Sequence, residues 1–411
     1  ATYQSAWRSV EHFLGQWEKR RKLNMRRFKK IAALALAAVM TLSLAACGNA
    51  GTNVSDNSGN VSDTAQYNGK LEFDHSMELT YAKNFSVDYY KGGYKLIKVK
   101  DQGSFLVVPE GMSVPGGLDS DTYVLQQPVT KILVSSTPTV SLINAIGALD
   151  AVSLTTYDVD TWYIDNVKKQ MNDGKLKYVG EYTKPDYELI TATGTNFAIF
   201  SAMLKDDVKA QLEQLGIKIL VDQASYEDHP LARVEWMKLY GAMFNKEAEA
   251  DKLFAEQEAL IKNIETKPAT GKTAVIFYIT SKGDFYVRNS DDYMAKMISL
   301  AGGKYIMDGK VGVGKTGTTK MEAESFFDLA KDADEIIYVW STGGKPSTLN
   351  DLLAKNSVLA DMKAVKEGNV WCTTPDFFQI SNTIGNIIND MNSVFSADAS
   401  ADKFTYLYKL K

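Results

Sequence analysis

The chain has 411 residues, of which 45% are apolar and 23% charged, with a net charge of −4. That length can build two or three domain-sized cores; the ordinary apolar content excludes a multi-span membrane protein, and the acidic balance excludes a nucleic-acid partner held on a basic face. Two cysteines, Cys47 and Cys372, and three histidines, His12, His75 and His229, exclude a disulfide framework and a bare-metal site built on several imidazoles.

The charge is uneven along the chain. Residues 1–46 carry nine Lys/Arg against two Glu, a net of +7, which leaves −11 on the remainder. Within this basic leader, Met25-Arg26-Arg27-Phe28-Lys29-Lys30 precedes an uncharged, largely apolar run from Ile31 to Leu44. A spanning helix needs about 20 apolar residues, so the run suits a signal peptide over 25–46. It ends in Leu44-Ala45-Ala46-Cys47-Gly48, which resembles the lipobox of bacterial lipoproteins. That resemblance implies lipid attachment at Cys47 and a location on the outer face of the cell membrane. Residues 1–24 are expected to be an upstream non-native stretch. Residues 47–70 are rich in Asn, Ser, Gly, Thr and Asp and read as a flexible tether.

From residue 71 to 126 apolar and polar residues alternate between turn signals, predicting short strands such as Tyr94 to Val99 and Phe105 to Val108. From residue 129 the pattern changes to β-α units. Strands are expected at 131–134, 152–154, 197–200 and 217–221, with helices between them. A second such series follows Pro268, with strands at 274–279, 335–339 and 369–371. Strands alternating with helices predict a mainly parallel sheet in each half. Between the halves, Pro230 to Thr266 carries no strand signal. Pro230 suits the start of one helix, and Asn245 is expected to cap a second over Lys246 to Thr266, with an apolar stripe at Leu253, Phe254, Leu260, Ile261 and Ile264. At 1.5 Å per residue such a rod is about 31 Å long, enough to bridge two lobes. The predicted fold class is α/β: two Rossmann-like lobes, 71–244 and 268–411, joined by one long helix at 245–267, with a ligand cleft between them.

These segments are where the chain resembles a known family, the helix-linked substrate-binding proteins of ABC importers that serve iron–siderophore, haem and cobalamin uptake. The resemblance covers roughly residues 120–395. It is carried by Val129-Thr130-Lys131-Ile132-Leu133-Val134, Ala145-Ile146-Gly147-Ala148-Leu149-Asp150, Pro185-Asp186-Tyr187-Glu188-Leu189-Ile190 and the run Lys363 to Trp371. A narrower resemblance, to one subgroup of that family, rests on Ser225-Tyr226-Glu227-Asp228-His229-Pro230-Leu231-Ala232-Arg233-Val234-Glu235-Trp236. The family implies a monomeric binding protein, not an enzyme, that needs no cofactor. Its partners would be an ABC permease and a small-molecule metal chelate, a corrinoid or haem, with the membrane reached through the lipid anchor. An iron chelate of the siderophore type is the expected ligand, with cobalamin or haem as alternatives. Glu188 and Glu324 match the family's positions for docking to permease arginines; helix-dipole compensation explains them equally.

Ligands of open α/β sheets sit beyond the C-terminal ends of the strands. The candidate contacts are therefore residues that follow strands: Ser136, Thr137, Tyr157, Trp162, Tyr182, Ser201, Met203, Tyr226 and His229 in the first half. In the second half they are Thr280, Tyr286, Arg288, Trp340, Thr342, Phe377 and Phe378. The aromatics suit flat ligands, and Arg233 and Arg288 suit carboxylate or catecholate oxygens. Tyr226 and His229 are candidate haem-iron ligands, but Asp228-His229-Pro230 also reads as a plain helix cap. Gly309 to Thr316 fits the phosphate-loop pattern letter for letter. It is rejected, since Gly317-Thr318-Thr319 cannot open the helix that such a loop requires. A rival reading, a secreted lipoprotein hydrolase, finds no G-x-S-x-G elbow and no H-E-x-x-H to support it.

Overall fold

The computed structural model describes residues 70–340, 344–396 and 404–411. The leader, Cys47, the tether up to residue 69 and Thr342 lie outside the described residues. Among the described residues, no helix is long and apolar enough to cross a membrane.

Three sheets organise the chain. The first runs β1 (Phe73–Ser76), β2 (Phe85–Tyr90), β3 (Tyr94–Val99), β4 (Ser104–Val108) and β5 (Thr122–Gln126), in that spatial order. It is an antiparallel meander except for the parallel β4–β5 pair. The alternation read in the sequence is its cause: Val87, Ile97, Phe105 and Val107 face the main core, while Tyr94, Leu106 and Val108 form a small cluster on the other side.

The second sheet is wholly parallel: β6 (Ile132–Ser135), β7 (Val152–Thr155), β8 (Lys177–Tyr178), β9 (Phe197–Ser201) and β10 (Lys218–Asp222), in the order 10-9-6-7-8. Its connections are α1 (Thr137–Ala145), α2 (Asp165–Asn172), α3 (Tyr187–Thr193) and α4 (Asp206–Gln214). The central strands read as unbroken apolar runs because both faces are buried, one in the main core and the other in a smaller cluster.

The chain then crosses to the second lobe through two helices, α5 (Pro230–Phe244) and α6 (Glu247–Glu265). Every residue of α5 except Lys238 and Phe244 is buried. The inner stripe of α6 is Ala250, Phe254, Gln257, Ile261 and Ile264, with Leu253 and Leu260 at its margins. Asn245 does not cap the start of α6. It ends α5 in the left-handed conformation (φ 56°), and Lys246 occupies the N-cap position. Asparagine suits both roles; here its side chain binds Lys95 and Gln127 instead of the α6 amides.

The third sheet belongs to the second lobe: β11 (Thr273–Ile279), β12 (Phe285–Arg288), β13 (Lys304–Tyr305), β14 (Thr318–Met321), β15 (Glu335–Tyr338), β16 (Val370–Thr373) and β17 (Leu407–Lys409). Its order is 14-12-11-15-16-17, with β13 also paired to β11. The β11–β15–β16 centre is parallel and the flanks are antiparallel. Around it lie α7 (Tyr293–Leu300), α8 (Ala323–Ala330), α9 (Leu349–Leu353), α10 (Lys363–Lys366) and α11 (Ile384–Ser396). Phe277, Phe285, Phe326 and Tyr338 pack ring to ring in its core.

The lobes touch directly as well as through the helix pair. The Gln379 amide donates to the Thr161 carbonyl (2.7 Å) and accepts from the Tyr163 N–H (2.9 Å), and Ser141 donates to Asn382. These bonds close one side of the interlobe space and leave the rest open as a cleft.

Candidate ligand cleft

The cleft has a volume of about 400 Å³. The first-lobe wall is made where strands stop. β6 ends at Ser135, and Ser136 then caps α1 by accepting the Thr139 N–H at 3.3 Å. Pro138 suits this first turn because it has no amide hydrogen to satisfy. Ser136 and Thr137 therefore stand at a helix start on the cleft wall. Thr139 passes the network inward, donating to Asp222 at 2.7 Å, and Tyr240 of α5 donates to the same carboxylate. Burial beside that carboxylate pushes the Tyr240 phenol well up, so it stays a donor.

Tyr157, Ser201, Met203 and Tyr226 complete this wall, as their places after β7, β9 and β10 predict. Trp162 does not line the cleft. It is fully buried beneath Tyr157, edge-on at 5.8 Å, and donates its indole N–H to the Tyr157 carbonyl. Trp162 thus supports a wall residue. His229 is also off the wall. Its Nδ1 accepts the Leu231 N–H at 3.2 Å as the cap of α5, and its ring stacks on Tyr81 at 4.5 Å. His229 thus serves as the N-cap of α5.

Burial, reinforced by nearby Lys296, depresses the His229 pKa below its ordinary 6.5. The folded state thus prefers neutral imidazole. Its contribution to stability is complete above about pH 6.5 and is lost as pH falls from there toward the depressed folded value. Thermal melts across pH 5 to 8 should show this loss in the parent and a smaller one in His229→Asn. Parallel curves would remove His229 as the cause.

The second-lobe wall comes from Arg288 at the end of β12, Asp292 and Tyr293 at the start of α7, Thr316 and Gly317 before β14, and Phe377 and Phe378 after β16. Tyr286 is not part of it. It stacks on Tyr278 (5.2 Å, 3° between planes), on the face opposite to Phe285 and Val287. Trp340 packs edge-on against Tyr163 at 6.3 Å and is also off the wall. Thr280 and Tyr182, too, lie outside the lining.

Charge is the distinguishing feature of the cleft. Arg288 is buried, 3.8 Å from Asp292 and 6.0 Å from the Phe378 ring centroid. Its Nε has no acceptor among the described residues. Arg233 enters from α5, also buried, with its guanidinium 4.0 Å above the Tyr293 ring. Asp292 is the one carboxylate in the lining, and it is already engaged as the cap of α7 and by the Gly317 N–H at 2.8 Å. Two buried cations therefore stand in the lining against one carboxylate that is already occupied, in a space lined by aromatic rings.

The sequence does not single out Asp292, Tyr293 or Gly317 as wall residues. The phosphate-loop look-alike is tied down: Asn289 binds the Thr316 carbonyl, and Asp291 and Asp292 accept the Gly314 and Gly317 amides. It runs into strand β14 and no helix follows, so its amides do not converge on a phosphate. Among the described residues, no group of three or more His, Cys, Asp or Glu could hold a bare metal ion.

Residues 132–377 match the family model for periplasmic binding proteins. The chain belongs to the periplasmic binding protein family. An uncharacterized lipoprotein of Methanocaldococcus jannaschii is 27% identical over 356 residues, covering 80% of this chain and 84% of its own. A second lipoprotein of that organism is 25% identical over 349 residues, covering 80% and 86%. Among solved structures, the periplasmic haem-binding protein HutB of Vibrio cholerae superposes with a TM-score of 0.52 at 18% identity, over 63% of this chain and 97% of its own. A periplasmic haem-binding protein of Pseudomonas aeruginosa gives 0.55 at 15%, over 69% and 98%. A protein of the Fe3+-hydroxamate transport system of Saccharomonospora viridis gives 0.51 at 17%, over 65% and 93%. These structures share the fold of two α/β lobes about a helix. The chain is thus a solute-binding protein, from a family of periplasmic binding proteins. The match begins at β6 and leaves the β1–β5 sheet of this periplasmic binding protein outside it.

Proposed function

We propose that this protein captures an anionic iron chelate of the siderophore type outside the membrane and delivers it to an ABC importer permease. One observation carries the reading: Arg233 and Arg288 are both buried in the cleft, and the Arg288 Nε has no acceptor among the described residues. A guanidinium left this way is costly unless a ligand oxygen completes it. Catecholate, hydroxamate and carboxylate oxygens have the geometry to do so, and the rings of Tyr157, Tyr293 and Phe378 suit a flat partner. Proteins of similar fold that bind haem or belong to an Fe3+-hydroxamate transport system support iron-chelate ligands of this kind.

Haem is the second reading. It is favoured by Tyr226, whose side chain stands on the cleft wall at 57% exposure, free to offer its phenol to an iron. A thermal-shift screen of ferric catecholate, ferric hydroxamate, haem and a corrinoid separates the readings. A ligand at 100 times its Kd stabilises the folded state by about 2.7 kcal/mol. A ferric chelate should raise the melting temperature by several degrees. A shift with haem alone would move the assignment to haem, and no shift with any of the four would remove the iron-chelate reading.

Delivery needs a docking contact on each lobe. Glu188 and Glu324 are exposed in the first turns of α3 and α8, and neither makes an intramolecular ion pair among the described residues. Reversing both to arginine should abolish uptake in cells while chelate affinity stays within about twofold of the parent, since neither touches the cleft. Unchanged uptake would exclude them as the docking pair.

A further inference from the structure

The β1–β5 sheet lies outside the stretch that matches the family model, yet it takes hold of the helix that carries Arg233. The loop between β1 and β2 runs along the back of α5. Glu235, fully buried, accepts the backbone N–H groups of Thr80, Tyr81 and Ala82 at 2.9, 2.8 and 2.8 Å. Glu227, also buried, accepts those of Lys83 (3.1 Å) and Asn84 (2.9 Å), together with the indole N–H of Trp236 (3.0 Å). Five consecutive amides are thus consumed by two carboxylates that flank Arg233 in sequence. Trp236 in turn packs edge-on against Phe85 of β2 at 5.0 Å. At the far end of α5, the Lys95 ammonium of β3 donates to the Ala242 carbonyl, Asn245 and Glu247.

Residues 233 and 235 are about 200° apart around a helix, so gripping Glu235 on one side fixes where Arg233 points on the other. Among the described residues Arg233 has no carboxylate within ion-pair distance to do this; its guanidinium lies over the Tyr293 ring. A buried carboxylate is expensive to maintain and is weak evidence for stability alone, whereas a full set of donors makes it a geometric restraint. We propose that the N-terminal sheet is a positioning module for the ligand cleft, and that Glu227 and Glu235 are positioning residues which set the rotation of α5 and hence the place of Arg233. This rests on the reading of Arg233 as a ligand contact.

The test uses the full chain carrying Glu235→Gln, with Glu227→Gln as a second variant should the first fail to fold. Glutamine keeps the size but turns an N–H2 toward amides that need an acceptor. Ferric tris-catecholate is the probe. Glu235→Gln should weaken its binding roughly tenfold in the parent and by less than about twofold in an Arg233→Met background, because the two changes act on one contact. Hydrogen exchange should quicken both in residues 80–84 and in the α5 turns around Arg233. Equal losses in both backgrounds, or faster exchange confined to 80–84, would overturn the proposal. If the probe binds not even the parent, the siderophore reading falls, and the exchange of α5 alone decides the positioning role.

Discussion

Replacing Arg288 by methionine should leave the unliganded protein at least as stable as its parent while weakening an anionic chelate by one to two orders of magnitude. The two halves of this expectation come from the same geometry. Arg288 is buried, its Nε lacks an acceptor among the described residues, and Asp292 stands 3.8 Å away, at the outer limit of an ion pair. A buried unpaired donor costs about 1–3 kcal/mol, and a weak buried ion pair does not repay the removal of charge from water. Methionine fills similar space without either cost. Asp292 keeps the Met294 and Gly317 amides, so it is not stranded. In the complex the balance reverses: a charged hydrogen bond contributes about 1.5–3 kcal/mol, or roughly 10- to 150-fold in affinity. The pair Arg233→Met and Arg288→Met should lose about 3–6 kcal/mol if the sites act independently. Calorimetric titration with ferric tris-catecholate and melts of the unliganded variants check both halves. A variant that melts far below the parent yet binds normally would make Arg288 a structural residue and leave the cleft without its anion site.

Most of the strand framework was legible because it depends on local, strong signals. Buried parallel strands must be apolar throughout, so segments such as Ile132 to Val134 and Phe197 to Phe200 declared themselves, and with them the positions that follow. Ser136, Thr137, Tyr157, Ser201, Met203, Tyr226, Arg288 and Phe378 were placed at the cleft by that rule alone. The rule gives the end of a strand but not the direction of a side chain. Trp162 follows β7 yet turns under Tyr157, and Trp340 follows β15 yet turns toward Tyr163. For Tyr286 the missing information was in the sequence: alternation with Phe285 and Val287 already assigns it to the opposite face. The first sheet was visible as strands, but its grip on α5 was not. Glu227 precedes α5 and Glu235 lies within it; in sequence both are ordinary acids, and only long-range contact shows that their partners are backbone amides some 150 residues earlier.

Gly385→Ala should destabilise the protein, although helix propensity alone predicts the reverse. Gly385 lies in the first turn of α11 without a positive φ, so an alanine there would gain up to about 1 kcal/mol of helix propensity. Its Cβ, however, would sit 2.6 Å from the Gln257 carbonyl oxygen and 2.9 Å from the Gln257 side-chain oxygen of α6. The side chain can swing away; the main-chain carbonyl of a packed helix cannot. Forcing extra volume into such a contact costs about 1–3 kcal/mol, more than the propensity gain in a terminal turn. The same crossing holds Gln257 to Asn386 at 2.8 Å, so separating the helices also strains that bond. Two turns earlier on the same face of α6, Gly241 of α5 makes an equivalent approach, with a Cβ placed 2.9 Å from that of Ala250. The linker helix is therefore seated against both neighbours by glycine contacts. Shifting α11 away from α6 moves the second lobe relative to the first, and Arg288 relative to Arg233. Gly385→Ala should thus lower both the denaturation midpoint and the affinity for ferric catecholate. An increase in stability by the propensity amount would mean that the α6–α11 crossing is looser than this contact requires, and that the two arginines are not held at a fixed separation by it.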